Sequence, residues 1–427
     1  RYRRLKEARA AARCTGYAGA MFPWQSGSSG REESPVLHLN PESGRWTRDS
    51  SYTQRHVNIA VAYNLWQYWE SSRDTRFMFG AGAEMFLDIA RFWASVSTYN
   101  RYHRRYEICG VMGPDEYHEH YPGSREPGLR NNAYTNVMVV WLLNKALELL
   151  ALLPQKQRAI LTEKLHLDDK DYATWHDIAH NIRIAFHDDQ IISQFEGFGN
   201  LKEFDWPEYR TKYEDICRLD RILEAENDST NNYQVLKQPD VLMLFYLLSL
   251  EQVITLFRQI GYVIDCTTIE KTIFYYLERT SHGSTLSKVI HAWVLAPFDL
   301  CRSWRLFAES LESDTQGGTT GEGIHTGVMA ATIGLVQNRY VGLRIQKHRI
   351  SFSPLLPVEL SGDITFRFRH LGNRFLVRAN RQRLTVSLEQ SNYQGIVIDV
   401  FGNACVLHPG RPRTFLLQEM PLTSAKH

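Results

Sequence analysis

Long apolar runs, paired cysteine spacings and an excess of one charge are all lacking in this sequence. No apolar stretch reaches the roughly 18 residues that span a bilayer, so no membrane segment is expected. Lys and Arg number 49 against 47 Asp and Glu, a net charge of +2, which argues against binding to nucleic acid or to an anionic membrane surface. The six cysteines show neither CxxC nor CxxH spacing. This argues against a zinc site or a disulfide framework and favours a reducing, cytoplasmic location.

The composition is that of a folded protein with a large core. Of 427 residues, 43% are hydrophobic and 12% are aromatic, which gives no reason to expect disorder. The sequence shows no nicotinamide, flavin, pyridoxal or metal signature, so no cofactor and no metal site are expected. It begins at Arg1 with a basic helical pattern, which we interpret as a segment of something longer. The lack of a signal peptide therefore says little about export.

The first 340 residues have the periodicity of helices joined by long polar loops. Residues 54–70 and 84–96 carry apolar side chains at i, i+3, i+4 and i+7, the pattern of amphipathic helices. Residues 131–153 are apolar nearly all round, which predicts a buried inner helix. Further helical patterns lie at 155–166, 173–186, 240–260, 267–278, 286–298, 302–311 and 322–337. Alternating buried and amphipathic helices fit a ring of inner and outer helices, an α/α barrel, and loops as long as those between them typically build a binding site.

The hydrophobic period changes to 2 after about residue 349. Four segments alternate apolar and polar side chains: 364–372, 374–382, 383–390 and 395–402. This alternation predicts an antiparallel β domain. The expected fold class is therefore mainly α, with a helical domain over 1–345 followed by a small antiparallel β-sandwich domain over 346–427.

Residues 110–136 form the loop with the densest set of reactive side chains. It reads GVMGPDEYHEHYPGSREPGLRNNAYTN and places Glu116 between Asp115 and Tyr117. Rings and a second carboxylate would disfavour the charged form of Glu116 through desolvation and like charge, as a general acid near neutral pH requires. A surface or capping carboxylate is the plainer alternative for Glu116 taken alone. Asp115 is expected to hydrogen-bond backbone amides, and Asn131 or Asn132 to cap the next helix.

Two stretches combine small hydroxyl residues with a histidine at the start of a helix. The first is SHGSTLS over 281–287, and the second is TQGGTTGEGIHTG over 315–327, with His325 in the first helical turn. Free amides and hydroxyls at a helix N-terminus bind small anions, and glycine allows a close approach. Helix capping and a packed histidine are the plainer alternatives, but the repetition favours an oxyanion as the ligand.

Two further stretches offer contacts for a sugar. Lys237 and Gln238 precede Pro239, which fits the first position of a helix, and their side chains supply several donors for vicinal hydroxyls. Trp24 lies in the loop FPWQSGSSGREES over 22–34 and has a face on which a sugar ring can stack. Each feature has an ordinary alternative: a surface pair for Lys237 and Gln238, and a core residue for Trp24.

Five motifs occur in an order that resembles one enzyme family. FPWQSGSSGREE, GPDEYHE with NNAYTN, KQPDV, SHGSTLS and EGIH are similar to the motifs of glycoside hydrolase family 65, the α-glucoside phosphorylases acting on maltose, trehalose, kojibiose and nigerose. The resemblance covers essentially the whole chain. It implies an (α/α)6 barrel followed by a small β domain, here without the family's N-terminal domain and first barrel helices. Pro239 departs from the family pattern.

The resemblance also implies a role for each motif residue. Glu116 would be the general acid that protonates the glycosidic oxygen. The substrate-binding residues would be Lys237, Gln238, Trp24 and Tyr117. The phosphate-binding residues would be Ser284, Thr285, His325, His282 and Gly283, with inorganic phosphate as the co-substrate.

The function that follows is inverting phosphorolysis of an α-glucosidic disaccharide to β-glucose 1-phosphate and a freed sugar. An inverting glycosidase needs a carboxylate base opposite its acid, whereas phosphate is already an anionic nucleophile that a second carboxylate would repel. Residues 280–288 contain no Asp or Glu. Two alternatives stay open: an inverting, trehalase-like hydrolase with Glu322 as the base, and a catalytically inactive carbohydrate-binding fragment. The disaccharide and the oligomeric state, often a homodimer in the family, stay open as well.

Overall fold

The structure, a computed structural model, describes residues 1–312, 325–346 and 349–417. Helices dominate its first three quarters. In chain order they are α1 (Leu5–Cys14), α2 (Val57–Ser72), α3 (Thr75–Phe77), α4 (Ala83–Val96), α5 (Ala133–Leu152), α6 (Gln155–Leu165), α7 (Asp169–Asn181), α8 (Trp206–Lys212), α9 (Leu219–Ala225), α10 (Met243–Leu247), α11 (Leu250–Gln259), α12 (Cys266–Leu277), α13 (Thr285–Leu295), α14 (Leu300–Glu312) and α15 (Thr326–Gly334).

Strands form short hairpins among the helices and two larger sheets near the C-terminus. The strands of the hairpins and of one further short pair, β5–β6, are β1 (Leu37–Leu39), β2 (Trp46–Arg48), β3 (Thr98–Asn100), β4 (Arg105–Glu107), β5 (Cys109–Val111), β6 (Leu129–Arg130), β7 (Phe186–His187) and β8 (Ile191–Ile192). The strands of the larger sheets are β9 (Leu343–Gln346), β10 (Arg349–Phe352), β11 (Ile364–His370), β12 (Asn373–Ala379), β13 (Arg383–Gln390), β14 (Ile396–Val400), β15 (Asn403–Leu407) and β16 (Arg413–Leu416).

The first of two compact units comprises residues 1–65 and 75–284. Its longest helix, α5, is buried over most of its 20 residues, as the apolar sequence predicts. Asn132 caps this helix, because its side chain accepts the N–H of Thr135 at 2.9 Å. By length and mean hydropathy, 1.4, α5 would pass for a membrane span, which the sequence did not lead us to expect. However, 67% of that apolar window is buried inside the protein, as in the core helix of a soluble protein.

Polar side chains that cap helices split the first unit into more helices than its hydrophobic pattern predicts. The helix expected over 240–260 is two helices, α10 and α11, because Ser249 begins a new helix with a capping box to Gln252. Pro239 does not occupy the first position of a helix, since α10 begins only at Met243.

The loops over 22–50 and 98–130 contain the hairpins β1–β2 and β3–β4 and the paired strands β5–β6. Their strands of two or three residues are too short to show a period.

The second compact unit comprises residues 66–74 and 285–427. Helices α13 and α14 pack with Leu335 and Tyr340 through Ala292, Ala296 and Phe307. The two larger sheets have the strand orders β15-β14-β10-β9 and β11-β12-β13-β16. Side chains of both sheets share one apolar core, with Phe352 and Phe375 fully buried in it. Alternating side chains on each strand therefore face a common interior, as in a sandwich.

The predicted strands are confirmed, and one pairing is not antiparallel. β10 and β14 run parallel, with Ile350 opposite Ile398, because the hairpins of the other sheet, β11 to β13, lie between them in the chain and provide the crossover that a parallel pair requires. The boundary predicted at 345/346 stays a prediction.

Candidate active site

Buried side chains hold the loop around residue 116 against a segment more than a hundred positions away. Asp115 accepts the backbone N–H of Lys237 at 2.8 Å through Oδ1 and the side-chain N–H of Gln194 at 3.0 Å through Oδ2. Its Oδ2 also lies 2.7 Å from Nδ1 of His118, whose Nε2 faces the carbonyl of Tyr233 at 3.0 Å. As the sequence suggested, Asp115 binds a backbone amide, but the amide belongs to the KQPDV stretch and not to its own turn.

A second buried carboxyl group supports the same loop. Asp240 is fully buried, and the side-chain amide of Asn132 donates to its two oxygens at 3.0 and 3.1 Å. Burial, together with the nearby charge of Asp115, raises the pKa of Asp240 well above its usual range. The backbone of Gly113 lies so close that a Cβ there would overlap Asp240 and Asn132. Only glycine fits at this position.

The loop presents Glu116 to two donors. Its backbone has a positive φ of 69°, a left-handed conformation that non-glycine residues seldom adopt. Gln54 Nε2 donates to Oε1 at 3.1 Å, and Lys237 Nζ donates to Oε2 at 2.7 Å. The side chain is 23% exposed. The sequence predicted an acid enclosed by rings, but polar donors face both of its oxygens.

The predicted sugar-binding pair, Lys237 and Gln238, is connected to the same loop. Gln238 Nε2 donates to the carbonyl of Pro114 at 2.6 Å. The SHGSTLS stretch lies alongside, since Ser281 donates its N–H to Leu236 at 2.8 Å and Gly283 donates to Lys237 at 3.0 Å. Three of the sequence motifs therefore meet within the first unit.

Tyr117 joins two of these segments. Its ring is buried, and its hydroxyl donates to the Cys217 carbonyl at 2.9 Å, lies 2.8 Å from the Ser281 hydroxyl and accepts the N–H of Leu219 at 3.0 Å. Burial raises the pKa of the Tyr117 hydroxyl well above its usual range. These contacts give Tyr117 a structural task, and its predicted contact with substrate stays a prediction.

Trp24 lies beside a histidine that the sequence did not single out. The half-buried indole has its centroid 5.2 Å from the ring of His56, and the His56 ring also contacts that of Tyr134, at a centroid distance of 5.9 Å. Burial lowers the pKa of His56 to about 4, so its ring is neutral near neutral pH, and the negative charge of Glu116 acts in the opposite direction. The charge of Glu116 therefore acts on the His56 ring.

The predicted phosphate-binding residues are divided between the units. His282, Gly283 and Ser284 belong to the first unit, and Thr285 and His325 to the second. Within the second unit, Thr285 Oγ1 lies 3.2 Å from Nδ1 of His325, so these two predicted residues are brought together. Glu322, the candidate base of the hydrolase alternative, lies outside the described residues.

Several residues of the site were not predicted from the sequence. Gln54 and His56 were assigned only to the start of a helix, and His118, Gln194 and Asp240 were given no role. Polar side chains clustered just before a helix, as in TQRH over 53–56, are a signal that could have been used for the first two. Nothing in the sequence around the buried partners of Asp115 indicates that they contact it.

The chain belongs to glycosyl hydrolase family 65. The model of the family's central catalytic domain matches residues 1–334, and that of its C-terminal domain matches residues 343–407. The expected family and fold class are thereby confirmed.

Relatives in this family include phosphorylases. The chain is 47% identical, over 96% of its length and 31% of the relative, to an uncharacterized glycosyl hydrolase of Mycobacterium tuberculosis (strain ATCC 25618 / H37Rv). It is 39% identical to the trehalose 6-phosphate phosphorylase of Lactococcus lactis subsp. lactis (84% of this chain, 45% of the relative). It is 33% identical to the kojibiose phosphorylase of Halothermothrix orenii (91% and 47%). The chain thus spans about a third to a half of the length of these relatives.

A solved structure shares the fold. A putative kojibiose phosphorylase from the human microbiome superimposes with a TM-score of 0.78, covering 97% of this chain and 56% of that chain at 23% sequence identity. This likeness supports the helical barrel with its C-terminal β domain as the architecture.

Proposed function

We propose that the protein carries out inverting phosphorolysis of an α-glucoside, with Glu116 as the general acid and inorganic phosphate as the nucleophile. The observation that carries the proposal is the placement of the Glu116 carboxyl group between Lys237 and Gln54, where Lys237 also accepts the N–H of Gly283, a residue of a stretch, 280–284, with no acidic side chain. One acid suffices, because phosphate needs no base to activate it. Protonation of the glycosidic oxygen by Glu116 and attack by phosphate from the opposite face would give β-glucose 1-phosphate and the free acceptor.

The remaining roles follow from this reaction. Lys237 and Gln238 would hold hydroxyls of the glucosyl group, with Trp24 along its ring face and Tyr117 as a further substrate contact. The Lys237 ammonium group must then exchange Glu116 Oε2 for sugar hydroxyls, since that oxygen has to be free to hold a transferable proton. Ser284, Thr285, His325, His282 and Gly283 would bind phosphate. No cofactor is required, and a cytoplasmic location suits an enzyme that consumes free phosphate.

The acceptor is best found by experiment, because the phosphorylase relatives act on different α-glucosides, as their names state. The intact protein is incubated with trehalose, trehalose 6-phosphate, kojibiose, maltose, nigerose and glucosylglycerol, each with and without phosphate. Proton NMR then identifies the product and its anomer.

We expect β-glucose 1-phosphate from one of these substrates, only when phosphate is present. Release of free glucose without phosphate would instead establish the hydrolase. A folded protein that turns over none of the substrates would support the non-catalytic alternative.

A further inference from the structure

The segment at the start of α9 packs against the SHGSTLS stretch. The carbonyl of Cys217 accepts hydrogen bonds from the hydroxyls of Ser281 at 3.0 Å and of Tyr117 at 2.9 Å. A Cβ added to Gly283 would overlap the same carbonyl oxygen, so only glycine permits this close approach. Arg218 follows Cys217 directly, and its backbone is therefore held beside residues that are predicted to bind phosphate.

The SHGSTLS stretch by itself offers little to balance the charge of an anion. The N–H of Ser281 already donates to the carbonyl of Leu236 at 2.8 Å. The N–H of Gly283 donates to the carbonyl of Lys237 at 3.0 Å, so neither amide is available to a phosphate ion. The stretch over 281–287 contains no Lys or Arg, whereas a phosphate group carries more than one negative charge near neutral pH. A cation from another segment would balance that charge.

Arg218 provides a cation that is fixed in place and still reaches the surface. Its Nε and one terminal nitrogen donate to the two carboxylate oxygens of Asp220 at 2.9 and 2.6 Å. The side chains of Arg218 and Asp220 are 22% and 27% exposed, so a small ion can reach both of them. An arginine held by a carboxylate in this way presents its guanidinium group in one orientation.

Electrostatic interactions connect this ion pair with the rest of the site. Burial raises the pKa of the Tyr117 hydroxyl, and the charge of Arg218 opposes that rise. Burial also acts to raise the pKa of Asp220, but the bonds to Arg218 and the charge of Lys237 lower it overall. When Glu116 is protonated, as a general acid must be, two of the four side chains Glu116, Lys237, Arg218 and Asp220 are positive and one is negative. This group of four then attracts an anion.

We propose that Arg218 binds the inorganic phosphate of the reaction, beside the predicted residues His282 and Ser284. Asp220 acts as a positioning residue that fixes the guanidinium group. The proposal rests on the proposed function for the presence of a phosphate site, and it adds a permanent charge whose planar N–H donors can contact two phosphate oxygens at once. The alternative is a local ion pair that only stabilises the start of α9, and it requires phosphate binding to be independent of Arg218.

The test is the binding of inorganic phosphate to the intact protein, measured by titration calorimetry with and without glucose. Loss of a hydrogen bond to a charged group weakens binding roughly ten- to hundredfold, and we expect Arg218→Gln to raise the Kd for phosphate by that factor. Arg218→Lys keeps the charge but loses the planar fork, so its Kd should lie between those of the wild type and Arg218→Gln. Arg125→Gln, at an exposed arginine of the acid loop, is the matched control and should bind phosphate as the wild type does.

Kinetics distinguish a loss of phosphate binding from a general loss of structure. On the disaccharide that the wild type converts, Arg218→Gln should raise the KM for phosphate by about the same factor as the Kd. The KM for the disaccharide should stay nearly unchanged, whereas damage to the whole site would alter both constants. If Arg218→Gln does not fold, Arg218→Lys decides the matter, because an ion pair with a purely structural task would leave its Kd for phosphate at the wild-type value.

Equal Kd values for phosphate in the wild type, Arg218→Lys and Arg218→Gln would overturn the proposal, as would a folded wild-type protein that does not bind phosphate. The proposed function is judged separately, by the appearance of glucose 1-phosphate. Phosphate binding that depends on Arg218 in a protein that forms no glucose 1-phosphate would support this inference and refute that function. Formation of glucose 1-phosphate with an unchanged KM for phosphate in Arg218→Gln would do the reverse.

Discussion

The carboxylate of Asp115 accepts the backbone N–H of Lys237 at 2.8 Å across 122 positions of sequence. Because Asp115 precedes Glu116, one buried side chain fixes both the acid and the lysine that faces it. The other carboxylate oxygen of Asp115 is in turn hydrogen-bonded to Nδ1 of His118 at 2.7 Å. The relative position of Glu116 and Lys237 therefore depends on a residue that need not touch the substrate.

Replacing Asp115 with Asn should strongly destabilise the protein. The amide oxygen can still accept from Lys237, but the amide nitrogen that replaces Oδ2 can no longer accept from Gln194. A buried donor left without its acceptor costs about 1–3 kcal/mol, which urea unfolding would measure. The control is Asp189→Asn, since that carboxylate is 83% exposed in its pair with Lys271 and exposed pairs contribute about 0–1 kcal/mol. Equal stability of the two variants would show that Asp115 is not structural.

The sequence predicts the elements better than their contacts. The apolar run of α5 and the alternation in β11 to β14 were sufficient to place those elements, because their periods extend over seven residues or more in most cases. The sequence also identified Glu116 and Lys237 as partners in one site, through the family resemblance and not through any local pattern.

The contacts that shape the site could not be predicted from the sequence pattern. Asn132 and Asp240 are 108 positions apart, and Gln54 and Glu116 are 62 apart. Nothing in the pattern around either member indicates the other. Asn132 was correctly expected to cap α5, but its amide has a second task that only the folded chain reveals.

Replacing Glu116 with Gln should greatly reduce the turnover of disaccharides while the fold stays intact. The amide keeps the shape of the carboxyl group but cannot transfer a proton, and general acid catalysis contributes roughly 10²–10⁴-fold. We expect a fall of that size in kcat/KM for disaccharides. With α-glucosyl fluoride and phosphate the fall should be much smaller, because fluoride leaves with little assistance. Glu126→Gln, at an exposed carboxylate of the same loop, is the control. Equal losses on both substrates would contradict the assignment of Glu116 as the acid.

Replacing Gly113 with Ala should disturb the support of the acid loop. The added methyl group would overlap the side chains of Asp240 and Asn132, which are buried and already hydrogen-bonded to each other. Overpacking of this kind costs typically 1–3 kcal/mol, and kcat should fall as well because the loop carries Glu116. Gly362→Ala is the control, since a Cβ at that position meets no atom within 4 Å. The comparison uses thermal unfolding and turnover, and a normal Tm with normal turnover in Gly113→Ala would count against the close packing.

The stability of the protein should depend on the ionisation of Glu119. Burial, followed by the charge of Asp49, raises the pKa of this half-buried carboxyl group from 4.5 to about 7, although Ser50 and His38 act in the opposite direction. The folded state therefore holds this proton more tightly than the unfolded state. The stabilisation is fully present below pH 4.5 and is lost as the pH rises to about 7. With allowance for partial exposure, the change in the free energy of unfolding is about 1–3 kcal/mol.

Glu119→Gln should remove that pH dependence, because the amide resembles the protonated acid at every pH. Relative to the wild type, the variant should gain stability between pH 5 and pH 8, as measured by urea unfolding at half-unit intervals of pH. Glu163→Gln, at an exposed position of α6, should follow the wild-type profile. If Glu119→Gln and Glu163→Gln gave parallel profiles, the carboxyl group of Glu119 would have to be ionised throughout this range, and neither burial nor Asp49 would be acting on it as the structure indicates.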